Sequence, residues 1–128
     1  MPKTAIESKA AKAIGPYSLG IAAGDLIFLS GQIPLDGATG KLVPGGIEEQ
    51  TEQVFRNIKA LLDAAGIGMQ HVVKATVFMT DLGEFQAMNA IYQKHVTTPF
   101  PARSTIQVAG LPMGARVEIE MIASRAAG

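Results

Sequence analysis

The chain has 128 residues, 48% of them apolar, with eleven basic side chains against eleven acidic ones, so it can bury one core and lacks the basic excess that a phosphate backbone demands. Cysteine is absent, which excludes disulfides, thiolate nucleophiles and cysteine-ligated zinc and fits a reducing compartment. No run approaches the roughly 20 apolar residues of a membrane span, and Met1 to Gly15 hold no apolar core of signal-peptide length, so one soluble, cytoplasmic domain over residues 1–128 is expected, with no nucleic-acid or membrane partner.

The first elements are extended. Ser18 to Ala22 and Asp25 to Ser30 (DLIFLS) flank Ala23-Gly24 and read as a hairpin, whose continuously apolar second strand is expected to be buried on both faces. DGATG at Asp36 to Gly40 is a turn, and Pro44-Gly45-Gly46 closes the extended region. From Ile47 the period changes: Ile47, Thr51, Val54, Ile58, Leu61, Leu62 and Ala65 fall on one helical stripe, with Glu48, Glu49, Glu52, Arg56, Lys59 and Asp63 facing away. Acids crowd the first turn and Gly66 supplies the stop. His71 to Met79 (HVVKATVFM) returns to β-branched composition. Asp81 with Glu84 then reads as a capping box for a second helix, whose buried stripe would be Phe85, Met88, Tyr92 and Val96 and which ends before Pro99 and Pro101.

The C-terminal third predicts a second hairpin. Ala109 to Gly114 (AGLPMG) connects two strand-like runs. Arg103, Thr105 and Gln107 alternate with Ser104, Ile106 and Val108 on the first run, and Val117, Ile119, Met121 and Ala123 form an apolar face opposite Arg116, Glu118 and Glu120 on the second. Burying the apolar faces together would bring Arg103 and Glu118 within cross-strand or diagonal range. The resulting order is β-β-β-α-β-α-β-β, a mixed sheet with two helices on one face. The uncovered face, which would carry Arg103, Thr105 and Gln107 beside apolar neighbours, predicts a homo-oligomer with polar pockets at its seams.

Four blocks in this order carry a family likeness: AIGPY at Ala13 to Tyr17, SGQIP at Ser30 to Pro34, NxKALLxAAG at Asn57 to Gly66, and PARSTIQVAGLPMGARVEIE at Pro101 to Glu120. Over nearly the whole chain the sequence resembles the reactive intermediate deaminase (RidA, YjgF/YER057c/UK114) family. The resemblance implies a chorismate-mutase-like α/β (α+β) fold, a homotrimer with a barrel-like centre, and active sites in the clefts between subunits. It also implies hydrolysis of 2-imino acids such as 2-iminobutanoate and 2-iminopropanoate, or their enamine tautomers, to 2-keto acids and ammonia without a cofactor or metal. Arg103, Glu118 and Tyr17 would be the catalytic residues, with Gly31, Thr105, Asn89 and Ser30 joining Arg103 around the substrate.

The residue chemistry suits that implication. A 2-imino acid offers a carboxylate beside an electrophilic C=N carbon, so its site needs a cation for the first and a positioned water for the second. Arg103 can take the carboxylate bidentately, which a lysine cannot; the plainer alternative is a surface ion pair with Glu118. Glu118 could polarise the water and shuttle its proton, with Glu120 as rival on the same face. Tyr17, aimed by the rigid Gly15-Pro16 turn, could hold the carboxylate or the imine nitrogen, or be an edge residue packed by its ring. Gly31 could let a backbone amide approach the substrate, or simply end a strand. Asn89 could line the pocket or tie helix to loop.

One departure from the family stands at Thr105, where many deaminases carry cysteine; a hydroxyl can still donate a hydrogen bond, so water-based hydrolysis survives while substrate preference changes. His71 and His95 lack the spacing of a metal site, and Ser30 and Ser104 lack a histidine partner. Two other functions compete with deamination: a small-carboxylate binding module using the Arg103 clamp without turnover, and an RNA-directed activity, which the balanced charge disfavours.

Overall fold

The computed structural model describes residues 2–8 and 13–128; Met1 and Lys9 to Lys12, part of the stretch read as lacking a signal sequence, lie outside the described residues. In chain order the elements are β1 (Thr4–Ile6), β2 (Gly20–Ala23), β3 (Leu26–Gln32), β4 (Leu35–Asp36), β5 (Lys41–Leu42), α1 (Ile47–Ala64), β6 (Val72–Met79), α2 (Phe85–His95), β7 (Ala102–Gln107) and β8 (Val117–Ser124). β4 and β5 form a small hairpin, and the other strands make one mixed sheet in the order β1-β2-β3-β8-β6-β7. The expected α+β succession holds for this sheet, with β1 the strand that the sequence reading did not place. No helix among the described residues is long and apolar enough to cross a membrane.

Both helices form where the periodicity put them. The α1 stripe from Ile47 through Leu62 is buried together with Phe55. At its start Glu49 Oε1 accepts from the Gly46 N–H at 2.7 Å, and past its end Gly66 takes φ +76°, a left-handed conformation that glycine adopts without steric cost. Arg125, beyond β8, donates to the Ala65 carbonyl at 2.9 Å and places a cation at the negative end of the helix. Asp81 caps a 3₁₀ turn over Leu82–Glu84 rather than α2 directly. Glu84 does not close a reciprocal box; its carboxylate pairs with Arg116 at 2.7 Å. His95 Nε2 meets Glu52 Oε1 at 2.5 Å and joins the two helices, its ring stacked on Phe55 with centroids 4.6 Å apart. That hydrogen bond holds the Glu52 carboxyl below its ordinary range, against the opposing effect of burial. His71 lies in a 3₁₀ turn just before β6, where its Nδ1 accepts from the Gly68 N–H.

One face of the sheet packs under the helices and buries Ile27, Leu29, Ala75, Val77, Ile119 and Met121. On the other face Leu26 and Phe28 are 42% and 40% exposed, and Ile106 is 44% exposed. The DLIFLS strand is therefore buried on one face only, because no element among the described residues covers the second.

The C-terminal hairpin is not formed. β6 lies between β7 and β8, parallel to the first and antiparallel to the second, with Arg103 beside Ala75 and Ala75 beside Met121. The physical reason is the crossover: a strand, helix and strand in succession put β7 parallel to β6 and adjacent to it, leaving β8 the other side of β6. Residues paired across strands share a face, so Arg103, Thr105 and Gln107 lie on the helix side with Met121. Ser104 and Ile106, expected to be buried, face the open side with Glu118 and Glu120. Within one chain Arg103 and Glu118 are on opposite faces of the sheet.

Candidate active site

The open side carries a cleft of about 710 Å³ walled by Tyr17, Gly31, Glu118 and Glu120 with Leu35 and Met113. A β-bulge shapes it. Leu29 pairs with Met121 and Gln32 with Ile119, so β3 has one residue more than β8 over this step, at Ser30-Gly31. Gly31 lies directly against Glu118, and a Cβ there would overlap Glu118 Oε2. The glycine is needed for the carboxylate's seat, a reason different from the close backbone approach that sequence suggested. Burial raises the half-buried Glu118 carboxyl above its ordinary value, and the like charge of Glu120 raises it further.

The neighbours of Glu118 divide by what remains free on them. Tyr17 is 48% exposed, and its Oη accepts from the Ile14 N–H at 3.4 Å, which leaves the phenol proton free to donate. The Ser30 hydroxyl donates to the Ser18 carbonyl at 2.6 Å, so toward the cleft it can only accept. Asn57, which the sequence reading passed over, is buried and fixes the cleft wall: its Nδ2 donates to the carbonyls of Ile33 and Leu35 at 3.1 and 3.0 Å, and Gln53 donates to its Oδ1. The available signal was an amide beside the apolar stripe of α1, opening the NxKALLxAAG block. Replacing Gly31 with alanine should push the Glu118 carboxylate off its seat and leave the core intact, because the obstructing atoms are the end of one flexible side chain. The expected result is an unchanged melting temperature with loss of whatever acid-base work Glu118 performs, which for a general base is typically about 100-fold or more. Wild-type activity in the alanine variant would count against the seat.

On the helix side a separate pocket of about 440 Å³ gathers Asn89, Tyr92, Phe100 and Arg103. Arg103 Nη1 donates to Asn89 Oδ1 at 2.7 Å. The guanidinium lies 4.6 Å from the centroid of the Tyr92 ring and 5.5 Å from that of Phe85. No carboxylate pairs with Arg103 among the described residues, so a half-buried cation with unused donors faces this pocket, a place suited to a small anion. Thr105, two residues along the same face, has a buried hydroxyl without a hydrogen-bond partner among the described residues.

The expected site residues thus fall into two groups. Tyr17, Ser30, Gly31 and Glu118 meet in the open-side cleft, while Arg103 meets Asn89 on the other face with Thr105 beside them. One group has an acid-base carboxyl and a free phenol; the other has a cation for a carboxylate.

Comparison with known proteins matches residues 7–125 to the family model described as Endoribonuclease L-PSP. Protein DfrA of Myxococcus xanthus is 50% identical over 126 residues, covering 96% of both chains. The 2-iminobutanoate/2-iminopropanoate deaminase of Capra hircus is 48% identical over 116 residues, 91% of this chain and 85% of that one. A crystal structure of E. coli TdcF with bound serine superposes with a TM-score of 0.89 at 41% identity, covering 95% of this chain and 98% of that one.

Proposed function

The chain belongs to the Endoribonuclease L-PSP family, the YjgF/RidA family that its motifs resemble, and we propose that it hydrolyses 2-imino acids to 2-keto acids and ammonia at sites shared between copies. The observation that carries this reading is the Glu118 carboxyl, seated on Gly31 in a cleft beside Tyr17 and raised above its ordinary value by burial, the setting of a group that takes and returns a proton. Ionised Glu118 removes a proton from water as the water oxygen attacks the C=N carbon and the C=N π electrons move to nitrogen. The protonated carboxyl then returns its proton to that nitrogen, giving a carbinolamine; the regenerated carboxylate takes the carbinol O–H proton and passes it to the same nitrogen as the C=O bond forms and the C–N bond breaks, so that ammonia leaves a 2-keto acid. Tyr17 donates to the imine nitrogen, and Arg103 holds the substrate carboxylate. Arg103 and Glu118 occupy opposite faces of one sheet, so a site using both draws them from two chains, and the exposed Leu26, Phe28 and Ile106 supply apolar surface for the contact. We take the assembly to be a homotrimer.

A pyridoxal-phosphate dehydratase that releases 2-iminobutanoate from threonine provides the test. Adding this protein should accelerate ammonia and 2-ketobutyrate formation beyond the spontaneous rate, and sedimentation should give three chain masses. No acceleration would sink the reading. Binding of 2-ketobutyrate without acceleration would favour a small-carboxylate binding module, the second reading, which the serine-bound TdcF supports. An RNA-directed activity has less support, because eleven positive and eleven negative side chains supply no net attraction for phosphates.

The same assignment sets the pH dependence. If Glu118 must be ionised, kcat/KM falls as the pH drops through its pKa, a limb placed above the ordinary carboxylate range by burial first and Glu120 second. Glu120→Gln removes the second cause only. The variant should keep its activity at neutral pH and move the acid limb to lower pH; an inactive Glu120→Gln protein would instead make Glu120 the base.

A further inference from the structure

Resting on the deaminase reading for its ligand, we propose that Tyr92 is a positioning residue for the substrate carboxylate, acting through Arg103 by presenting its ring face to the guanidinium. Its place on the second helix marked it as core, and its burial agrees, at 5% exposed. Its contacts add a second task. The ring packs edge-on against Phe55, with centroids 5.7 Å apart at 73°, and Phe55 in turn carries the stacked His95 ring that ties α2 to Glu52 of α1. The ring is thus held from below by fixed groups. Above it, 4.6 Å from its centroid, lies Arg103, with Phe85 at 5.5 Å and Asn89 taking Nη1.

This arrangement determines what Arg103 can do. A guanidinium on a flexible stem loses rotamer freedom when it grips a carboxylate, and one already laid on an aromatic face and fastened at one nitrogen has lost much of that freedom beforehand. The aromatic face attracts a cation without consuming an N–H donor, so the donors not held by Asn89 stay available for the two carboxylate oxygens. A carboxylate in the role of Tyr92 would compete with the ligand for the same charge. The buried phenol oxygen has no well-aligned hydrogen bond among the described residues, yet the Arg103 guanidinium lies close enough to act on it, so the comparison of Tyr92→Phe with Tyr92→Leu is what separates hydroxyl from ring.

The test uses the intact assembled protein, 2-ketobutyrate as ligand, and the Nε–Hε resonance of Arg103. Tyr92→Leu should weaken 2-ketobutyrate about 3- to 30-fold, the range of a partly desolvated cation–π contact, remove the ring-current shift of the Arg103 signal and speed guanidinium rotation. Tyr92→Phe should restore binding to near wild type, since it keeps the ring face; a loss as large as that of Tyr92→Leu would assign the positioning to the hydroxyl, which Arg103 also reaches. In an Arg103→Ala background Tyr92→Leu should cost nothing more, because the ring has no other route to the ligand. Should the leucine variant fail to fold, fluorinated phenylalanines at position 92 keep the shape while draining the ring face, and affinity should fall with each added fluorine. Equal losses in the wild-type and Arg103→Ala backgrounds, or an affinity indifferent to fluorination, would overturn the proposal. A wild-type protein that hydrolyses no imine but whose Arg103 signal depends on the Tyr92 ring would end the deaminase reading and support the positioning.

Discussion

On the deaminase reading, Arg103→Ala should lower kcat/KM for 2-iminobutanoate by at least about 30-fold and leave the fold and the assembly intact. The magnitude follows from what is removed: truncating one partner of a desolvated, hydrogen-bonded charge pair costs roughly 2 to 5 kcal/mol. The fold should survive because Arg103 makes no ion pair with its own chain among the described residues; its contacts are one hydrogen bond to Asn89 and two aromatic faces. Arg103→Lys restores the charge but neither the fork nor the flat cation that stacks on Tyr92, so its activity should remain close to that of the alanine variant. Steady-state kinetics with circular dichroism and sedimentation on the same samples checks all three expectations. A well-assembled alanine variant keeping most of its activity would remove Arg103 from the site.

Glu118→Gln is expected to be as damaging, and the contrast with Thr105 makes it informative. Loss of a general acid-base group typically costs about 100- to 10,000-fold. One pocket methyl or hydroxyl shifts preference among substrates by about 10- to 200-fold. Thr105→Cys should therefore change rates on different imino acids modestly and unequally, while Glu118→Gln depresses all of them together. Thr105 shares the helix side with Arg103, whereas Glu118 faces the open side, so in the proposed shared site the two substitutions would act at opposite ends of the ligand. If Thr105→Ala proves as harmful as Glu118→Gln in correctly assembled protein, water activated by the glutamate is not the mechanism.

Much of this was legible in the sequence, for identifiable reasons. The α1 stripe, the stop at Gly66, the β-branched run of β6 and the alternation along β8 are local, and local pattern reports local structure. The placement of both helices on one face followed from their number. Strand neighbours were not legible in the same way. Arg103 and Glu118 looked like hairpin partners because a short Gly-Pro segment joins their strands, and turn chemistry carries no information about a third strand inserted between them. The strand, helix and strand from β6 to β7 did carry that information, through the geometry of crossovers. Two features of the site depend on contacts distant in sequence: Gly31 as the seat of Glu118, and Asn57 as the clamp on Ile33 and Leu35, whose amide beside the α1 stripe marked a polar exception without revealing its partners. The motif blocks nevertheless contained both residues.

In the proposed trimer the insertion of β6 between β7 and β8 would give each copy two halves of different sites, so that two inactive variants can complement each other. In the proposed trimer a seam needs Arg103 from one chain and Glu118 from the next, never both from the same chain. Arg103→Ala and Glu118→Gln chains, each dead alone, should complement when unfolded together and refolded as mixed rings. With random assortment about one seam in four receives both intact residues, and that fraction of wild-type turnover should return, whereas a chain carrying both substitutions restores nothing to either single variant.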